Sequence, residues 1–358
     1  MKGVILHGGR GARLRPLTHT GPKQLISVAN KPISQYVLED LTRAGITDIA
    51  ILLGDINTEK VVEYYGDGSK FGAKITYIHQ GAPKGIAHAV DLCRNFVGDD
   101  SFVVYLGDNL ICKGISKYVE TFQNSKCDVG LLLGTVDDPQ RYGVVQLDEF
   151  NRVIGVEEKP KVPKSNFVIV GVYFFTSCIF DVIKRIKPSW RNELEITDAI
   201  SEILYSKKYK IASYFVDGWW DDTGTAEDIL KANRYVLDNE LKSLNLGKIE
   251  HNVSIEGRVC IDEGTIIRQR SVIRGPVCIG KSCDIGPRTY IGPYTSIGDK
   301  CILKNANIES SVFLEGVTID CEIKIIDSLI GKDVQIISKD DLPQGTKFIL
   351  GENCRIII

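Results

Sequence analysis

The sequence lacks a long hydrophobic run, because its longest apolar stretch, near Val168–Phe175, is far too short to span a bilayer. At its start Gly3–Leu6 leads directly into a glycine-rich turn, without the apolar segment and cleavage site of a secretory signal. A surplus of positive charge is also missing, since 44 Lys and Arg residues face 46 Asp and Glu residues. We therefore expect a cytoplasmic protein with neither a membrane segment nor a nucleic-acid partner.

The ten cysteines include no C-x-x-C pair, which is the usual spacing of redox and zinc sites. Several of them, such as Cys278 and Cys283, occupy positions where small apolar residues also occur. We interpret them as reduced residues of the core. A chain of 358 residues is too long for one ordinary core, so we expect two domains.

The last third of the chain carries an isoleucine at every sixth position. The series contains Ile249, Ile255, Ile261, Ile267, Ile273, Ile279, Ile285, Ile291 and Ile297, followed by Leu303. Such a repeat is typical of a parallel β-helix, in which six residues form one side of a triangular coil and the isoleucine points inward. Beyond Leu303 the spacing alternates between five and six through Ile308, Leu314, Ile319, Ile325, Ile330 and Ile336, so the coils should continue with less regular corners. We expect Leu342–Ile358, which breaks the period, to cap the stack.

The first 240 residues alternate between apolar runs typical of strands and helical patterns. The expected strands are Gly3–Leu6, Ile49–Leu53, Ile75–Ile78, Phe102–Leu106 and Val129–Leu133, and the expected helices include Ile33–Ala44, Ala87–Asn95 and Ala226–Leu241. This order predicts an α/β domain with crossover helices at residues 1–240, followed by a hexapeptide-repeat domain at residues 248–358.

A glycine-rich loop, Gly8-Gly9-Arg10-Gly11, follows the first strand. Its backbone N–H groups can approach phosphate oxygens closely, and the end of a strand is where α/β proteins bind nucleotides. No Gly-Lys-Ser/Thr follows, and the third glycine of a dinucleotide fingerprint is missing, so neither of those two loops is present. Arg13, Arg15 and Lys23 supply the positive charge that a triphosphate and its leaving pyrophosphate require.

Eight ordered motifs over nearly the whole chain resemble those of the sugar-phosphate nucleotidylyltransferases, and most closely the long glucose-1-phosphate thymidylyltransferases. They are Gly8–Thr18, Pro22–Leu25, Asn30–Pro32, Leu106–Asn109, Arg141–Val145, Glu157–Pro160, Glu193–Asp198 and Trp220–Thr225. The resemblance implies a Rossmann-like nucleotidyltransferase domain, a left-handed parallel β-helix and dependence on Mg²⁺. It further implies transfer of a thymidylyl group from dTTP to α-D-glucose 1-phosphate, giving dTDP-glucose and pyrophosphate.

The resemblance also implies a role for particular residues. The catalytic residues would be Arg13, Lys23 and Lys159. The nucleotide would contact Leu6, Gly8, Gly9, Gly11, Arg13, Lys23, Gln24, Gln80, Gly85 and Asp108. The sugar phosphate would contact Asn109, Gly143, Glu158, Lys159 and Ile169, and Mg²⁺ would be held by Asp108 and Asp222. Carboxylates are ligands that Mg²⁺ prefers, and a phosphate nucleophile needs no strong general base.

Two positions depart from the family pattern. His7 stands where the family usually has a small residue, and Ala12 replaces a Ser or Thr. We expect the first change to alter the nucleotide contacts or their pH response, and the second to remove one hydrogen bond to phosphate.

Three other functions compete with thymidylyl transfer. Uridylyl transfer from UTP is the nearest, because it differs only by a methyl group and a ribose hydroxyl. Acetyl transfer in the β-helix would need a histidine base, and His251 is the only histidine after residue 240. The third, an inactive regulatory protein, conflicts with the retained charged residues. We also expect a homo-oligomer.

Overall fold

The computed structural model describes residues 1–338. The expected cap at Leu342–Ile358 lies outside the described residues. Contacts divide the chain into two compact units, each of which is interrupted in sequence. Unit 1 contains Met1–Gly11, Thr20–Leu25 and Pro32–Gly224, and unit 2 contains Ala12–His19, Ile26–Lys31 and the residues from Thr225 onward.

Helices and strands are interspersed along the first 240 residues of the chain. The helices are α1 (Ile33–Arg43), α2 (Thr58–Tyr65), α3 (Ile86–Leu92), α4 (Arg94–Val97), α5 (Ser116–Asn124), α6 (Cys178–Ile183), α7 (Ile196–Ser206) and α8 (Ala226–Asn239). The first strands are β1 (Lys2–His7), β2 (Ser27–Val28), β3 (Lys31–Pro32), β4 (Asp48–Leu53), β5 (Lys74–His79), β6 (Phe102–Leu106), β7 (Asn109–Ile111), β8 (Val129–Thr135), β9 (Gly143–Leu147), β10 (Val153–Glu158), β11 (Phe167–Phe175), β12 (Ile211–Phe215) and β13 (Trp220–Asp222).

A mixed sheet forms the centre of unit 1, in the order β10-β9-β11-β6-β1-β4-β5, with β8 paired to both β11 and β12. The strands β5, β4, β1 and β6 are parallel, and β11 runs antiparallel to β6. The apolar runs of β1, β4 and β6 are buried on both faces, between two clusters of core side chains. All five strands expected from the sequence are present, which confirms the α/β prediction.

Two of the expected helices also match. Ile33–Ala44 corresponds to α1, and Ala226–Leu241 corresponds to α8. The expectation of one helix over Ala87–Asn95 was wrong in detail, because the structure has α3 and α4 separated at the buried Cys93.

Unit 2 contains the coils. Their strands are β14 (Leu244–Asn245), β15 (Lys248–Ile249), β16 (Ser254–Glu256), β17 (Val259–Ile261), β18 (Ile266–Ile267), β19 (Val272–Arg274), β20 (Val277–Ile279), β21 (Asp284–Ile285), β22 (Tyr290–Ile291), β23 (Thr295–Ile297), β24 (Ile302–Glu309), β25 (Val312–Phe313), β26 (Thr318–Ile326), β27 (Leu329–Ile330) and β28 (Gln335–Ile337). All of their pairings are parallel, and Ile249 pairs with Ile267, which pairs in turn with Ile285. This register stacks the isoleucines of successive coils in one buried column, as in a parallel β-helix. We call residues 244–338 the coil stack.

The coils continue beyond Leu303 with a shorter repeat, as expected. Leu303 pairs with Ile319, and Ile308 pairs with Ile325. One inward position was predicted wrongly, because Phe313 rather than Leu314 fills the core and pairs with Ile297 and Ile330. The spacing of five from Ile308 to Phe313 moves the corner by one residue.

The nine cysteines among residues 1–338 are free, and Cys93, Cys278, Cys283 and Cys301 are buried. Their state agrees with the interpretation as reduced core residues. In the same part of the chain, the helices are all too short or too polar to cross a membrane.

Candidate active site

A cavity of about 330 Å³ opens at the carboxyl ends of the parallel strands of unit 1. Nine of the residues expected at the site line it: Leu6, Gly8, Gly9, Lys23, Gln80, Gly85, Asp108, Glu158 and Lys159. They come from the ends of β1, β5, β6 and β10 and from the segments that follow those strands. The structure therefore brings residues far apart in sequence to one site, where an open α/β sheet is expected to bind its ligand.

The glycine-rich loop contributes its first turn to the cavity. Gly9 has a φ of 96°, which favours glycine, and a Cβ added there would lie 3.8 Å from the Cε of Lys23. Gln24 is buried beneath the loop, and its amide nitrogen donates to the carbonyl of Gly8 at 2.9 Å. Loop and lysine thus give the cavity a lining of backbone groups beside a cation.

Lys23 forms an ion pair with Asp108, which follows β6 directly. Burial by itself would raise the pKa of Asp108, but the charge and hydrogen bond of Lys23 outweigh it and hold that pKa below its usual value. Asp108 is therefore an anion at neutral pH, and Lys23 is held beside it as a paired cation.

Another part of the cavity wall is a tight loop around Gly85. Gly85 has a φ of 96°, and a Cβ added to it would lie 2.3 Å from the carbonyl oxygen of Leu194. The backbone of Leu194 donates to Lys84 at 2.8 Å and accepts from Ala87 at 3.0 Å. Close approach of two backbones therefore requires glycine at this position. Gln80, at the end of β5, reaches the same loop through a 3.3 Å hydrogen bond to the carbonyl of Gly85.

A cluster of charged side chains also lines the cavity. Arg191 lies 3.2 Å from Glu195 and 3.7 Å from Glu158, and Lys159 lies 3.8 Å from Glu158. Burial raises the pKa of Glu158, while the nearby cations Lys159 and Arg191 oppose that shift. The cluster combines two cations that can bind a phosphate with carboxylates that can accept hydrogen bonds from hydroxyl groups.

A second small sheet holds the other carboxylate predicted for the metal. In it Asp222 of β13 pairs with Asn109 of β7, the neighbour of Asp108. The hydroxyl of Tyr142 donates to Asp222 at 3.2 Å, and the indole N–H of Trp220 donates to Asn109 at 2.7 Å. The strand pairing thus brings the backbone of Asp222 beside the residue that follows Asp108, and carboxylates are ligands that Mg²⁺ prefers. Within residues 1–338 there is no cluster of three or more His, Cys, Asp or Glu residues that could hold a metal, so further ligands would have to come from substrate or water.

The seven other expected residues are not among those that line the cavity: Gln24 and Asp222, described above, and Asn109, Gly143, Ile169, Gly11 and Arg13. Asn109, Gly143 and Ile169 lie in β7, β9 and β11, where Gly143 pairs with Glu158 and a Cβ added to it would lie 2.8 Å from the methyl group of Thr197. Gly11 has a φ of 58° in the loop. Arg13 is exposed in a 3-10 turn that belongs to unit 2.

Sequence reasoning gave no role to Arg191, Glu193 or Glu195, which line the cavity. The motif around Glu193–Asp198 was noticed only as part of the resemblance. The available signal was the density of charge just before α7, since the side chain of Glu195 is 5% exposed and is held by Arg191 and Ser189. A buried carboxylate with two partners indicates a structured loop rather than a solvated one.

His7, at the end of β1, is buried, and neither ring nitrogen has a hydrogen-bond partner. Burial lowers its pKa to about 3, although the charge of Asp108 acts in the opposite direction. The ring packs edge-on against Tyr65 at 6.1 Å between ring centroids. His7 is therefore a neutral residue of the wall behind the loop.

Comparisons with known proteins agree with this geometry. Residues 2–239 match the family model described as nucleotidyl transferase, and residues 273–357 match the GMPPB C-terminal domain. The chain is 46% identical to the low-salt glycan biosynthesis nucleotidyltransferase Agl11 of Haloferax volcanii, over 99% of both chains. It is 44% identical to a glucose-1-phosphate thymidylyltransferase of Streptomyces antibioticus, over 100% of this chain and 99% of the relative.

A crystal structure of a Bacillus anthracis protein described as a glucose-1-phosphate thymidylyltransferase, in complex with a sucrose, is also similar. It matches with a TM-score of 0.62 and 40% identity, over 68% of this chain and 98% of that one.

Proposed function

Because this chain belongs to the nucleotidyl transferase family, we propose that it condenses dTTP with α-D-glucose 1-phosphate to give dTDP-glucose and pyrophosphate. The observation that carries the proposal is that one cavity is lined by three cations, Lys23 beside the glycine-rich loop, Lys159 after β10 and Arg191 before α7. A nucleotidyl transfer requires such an arrangement, because two phosphorylated substrates must meet at one phosphorus atom.

The reaction needs positioning and charge neutralisation more than acid–base chemistry. An oxygen of the sugar phosphate attacks the α-phosphorus of the nucleotide, forming a P–O bond while the bond to the β-phosphate oxygen breaks. The electron pair of that bond leaves with pyrophosphate. Lys23, and Arg13 by resemblance, would stabilise the charge on the leaving group, while Lys159 would hold the attacking phosphate in line.

Mg²⁺ would be held by the carboxylates of Asp108 and Asp222, and support for this comes from the pairing of Asp222 with Asn109, the neighbour of Asp108. When bound, the ion supplies positive charge that neutralises the phosphates in the transition state. Tyr142 orients one of these carboxylates, and Lys23 keeps the other ionised.

We assign recognition of the base and recognition of the sugar to two further groups of residues. Gln80 and Gly85, which line the cavity and are hydrogen-bonded to each other, would contact the base, and the resemblance adds Gln24, which is buried beneath the glycine-rich loop. Glu158, with Asn109, Gly143 and Ile169, would contact the sugar. The half-buried carboxylate of Glu158 suits the recognition of a sugar hydroxyl. A substrate without that hydroxyl would leave a carboxylate oxygen without its donor, which costs binding free energy.

The organisation of the rest of the chain is part of the same proposal. Residues 1–240 would form the catalytic domain, and residues 248–358 a left-handed parallel β-helix of hexapeptide repeats that serves assembly into a cytoplasmic homo-oligomer. The parallel register of the coil stack supports the β-helix.

The test is pyrophosphate release with magnesium, measured in parallel with dTTP, UTP, ATP, CTP and GTP. Each nucleotide is paired with glucose, glucosamine and N-acetylglucosamine 1-phosphates. We expect the highest kcat/KM for dTTP with glucose 1-phosphate. A preference for UTP would contradict the nucleotide assignment, and release that survives Asp108→Ala would contradict the assignment of the metal.

A further inference from the structure

The segment that carries Lys23 lies between two stretches of chain that belong to the other unit. Thr20–Leu25 is part of unit 1, whereas Ala12–His19 before it and Ile26–Lys31 after it are part of unit 2. The six residues Thr20–Leu25 are thus joined at both ends to segments of unit 2, which contains the coils. We call these two flanking segments the attachments. A displacement of either attachment is transmitted to Lys23 through a short length of backbone.

The second attachment, Ile26–Lys31, is named the docking turn. It reverses the chain between β2 and β3 at Ala29 and Asn30, whose φ values are 48° and 63°. Ala29 is an unusual residue for the left-handed region, which costs about 1 kcal/mol for a side chain with a Cβ. A turn of this kind persists only where its surroundings hold it.

Asn233 of α8 holds the docking turn. Its side chain is completely buried, and its carbonyl oxygen accepts from the backbone N–H of Ala29 at 2.9 Å and from the hydroxyl of Ser296. Its amide nitrogen donates to the carbonyl of Tyr294 at 3.0 Å. One buried amide therefore joins the docking turn to a coil that includes β23.

A second contact reinforces the first. The side chain of Asn30 donates to the carbonyl of Ile297 at 2.7 Å, on the same coil. The docking turn is thus fixed through both of its left-handed residues, and each fixing partner lies in unit 2. Neither Asn30 nor Asn233 is among the residues that line the cavity, so an effect of this network on the site would pass through the backbone.

We propose that Asn233 is a positioning residue for the triphosphate end of the site, through which the coil stack fixes the docking turn and hence the location of Lys23. The inference rests on the proposed function for the role of Lys23. It gives the coil stack a part in catalysis that requires no reactive group of its own.

The test compares Asn233→Ala with wild type in a full-length chain. We expect KM for the nucleoside triphosphate to rise about tenfold, as for loss of a hydrogen-bonded constraint, with KM for the sugar phosphate unchanged. Affinity for inorganic triphosphate, measured by calorimetry, should fall by a similar factor. Hydrogen exchange of the docking turn should accelerate.

Thr265→Val is the matched control. Thr265 is also fully buried in unit 2, and its hydroxyl donates to Gly280 at 2.6 Å without touching the docking turn. We expect it to lower the melting temperature without changing either KM. If Asn233→Ala does not fold, Asn30→Ala carries the same test, because it removes the bond to Ile297. Asn30→Gly removes the same bond without strain at the positive φ of residue 30, so it separates the two effects.

Unchanged triphosphate affinity in Asn233→Ala and Asn30→Ala would overturn the proposal. Equal rises in both KM values, reproduced by Thr265→Val, would do the same, since they indicate general instability. A wild-type chain that binds triphosphate but transfers no nucleotide would refute the proposed function alone, and the affinities would still decide this inference. Absence of triphosphate binding by wild type would overturn both.

Discussion

Gly85 shows how a single residue can fix the shape of the cavity. Its positive φ and the Leu194 carbonyl leave no room for a side chain. Gly81, in the same loop, has a φ of 68° but open space around it, since nothing lies within 4 Å of an added Cβ. A side chain at Gly81 would therefore meet backbone strain alone, whereas a side chain at Gly85 would meet both strain and the backbone of Leu194.

We predict that Gly85→Ala destabilises the protein by roughly 3 kcal/mol or more, because left-handed strain and overlap with backbone add together. Gly81→Ala should cost only about 1 kcal/mol. Denaturant unfolding measures both, and pyrophosphate release should be lost in the first variant only. Equal effects would mean that the Leu194 contact has no special importance.

His7 predicts a pH dependence of stability. Its folded pKa of about 3 lies below the ordinary value of 6.5, so the unfolded chain binds one more proton between those limits. Stability due to the neutral ring is present above pH 6.5 and is lost as pH falls, at about 1.4 kcal/mol per pH unit.

Replacement by alanine, the small type of residue usual in the family, should remove this slope. Between pH 7 and pH 5 the free energy of unfolding of wild type should fall by about 2 kcal/mol more than that of His7→Ala. Urea unfolding at a series of pH values checks this. Parallel curves for the two proteins would show that the ring is not held neutral by burial.

At the scale of elements, α8 begins with a complete capping box. The hydroxyl of Thr225 accepts from the backbone of Asp228 at 3.2 Å, and the carboxylate of Asp228 accepts from the backbone of Thr225 at 2.8 Å. These bonds satisfy two donors that the first turn would otherwise leave unpaired.

Thr225→Ala should cost about 1 kcal/mol of stability, the usual effect of losing an N-cap. Thr121→Ala is the control, because the Thr121 hydroxyl only returns to the carbonyl of Lys117 within α5. Its change should stay within about 0.5 kcal/mol. The midpoint of thermal unfolding distinguishes the two variants, and similar shifts would argue against the cap.

The sequence predicted those elements whose pattern is decided locally. The repeat of isoleucines predicted the coils because each inward position is buried against an identical neighbour. Leu314 was predicted to point inward in place of Phe313, at a corner where the repeat shortens to five residues. The sequence alone does not show which of these two neighbouring apolar residues points into the core. The break at Cys93 was missed because an uninterrupted helical pattern gives no sign of a tertiary constraint.

The site was predictable to the extent that it consists of strand ends and glycine turns. Lys23, Asp108 and Lys159 lie at the cavity in which they were expected. Arg191 was not found, because its position depends on the contact of Leu194 with a loop some hundred residues earlier in the chain. Pairing at that separation leaves no local trace in a single sequence.

At the scale of the molecule, the coil stack has a core of its own. Ile285 is fully buried in its column, whereas Ile302 has the same side chain but is 38% exposed. Parallel coils bury one such residue per side, so each contributes to the stability of its neighbours.

Ile285→Ala should destabilise the coil stack by about 2–5 kcal/mol, and Ile302→Ala by much less. Hydrogen exchange followed by mass spectrometry should show loss of protection in β18, β21 and β24, with β1, β4 and β6 still protected. Uniform loss over the whole chain would mean that the two units unfold as one.

The two backbone hydrogen bonds that join Leu194 to the loop around Gly85 indicate where the chain could change to accept new substrates. Leu194 makes both hydrogen bonds with its peptide groups, while its neighbours Glu193 and Glu195 line the cavity. On the proposed function, we expect substitutions at Glu193 to change which sugar phosphate is accepted while these backbone hydrogen bonds remain. The segment is therefore a place to begin directed evolution of sugar range.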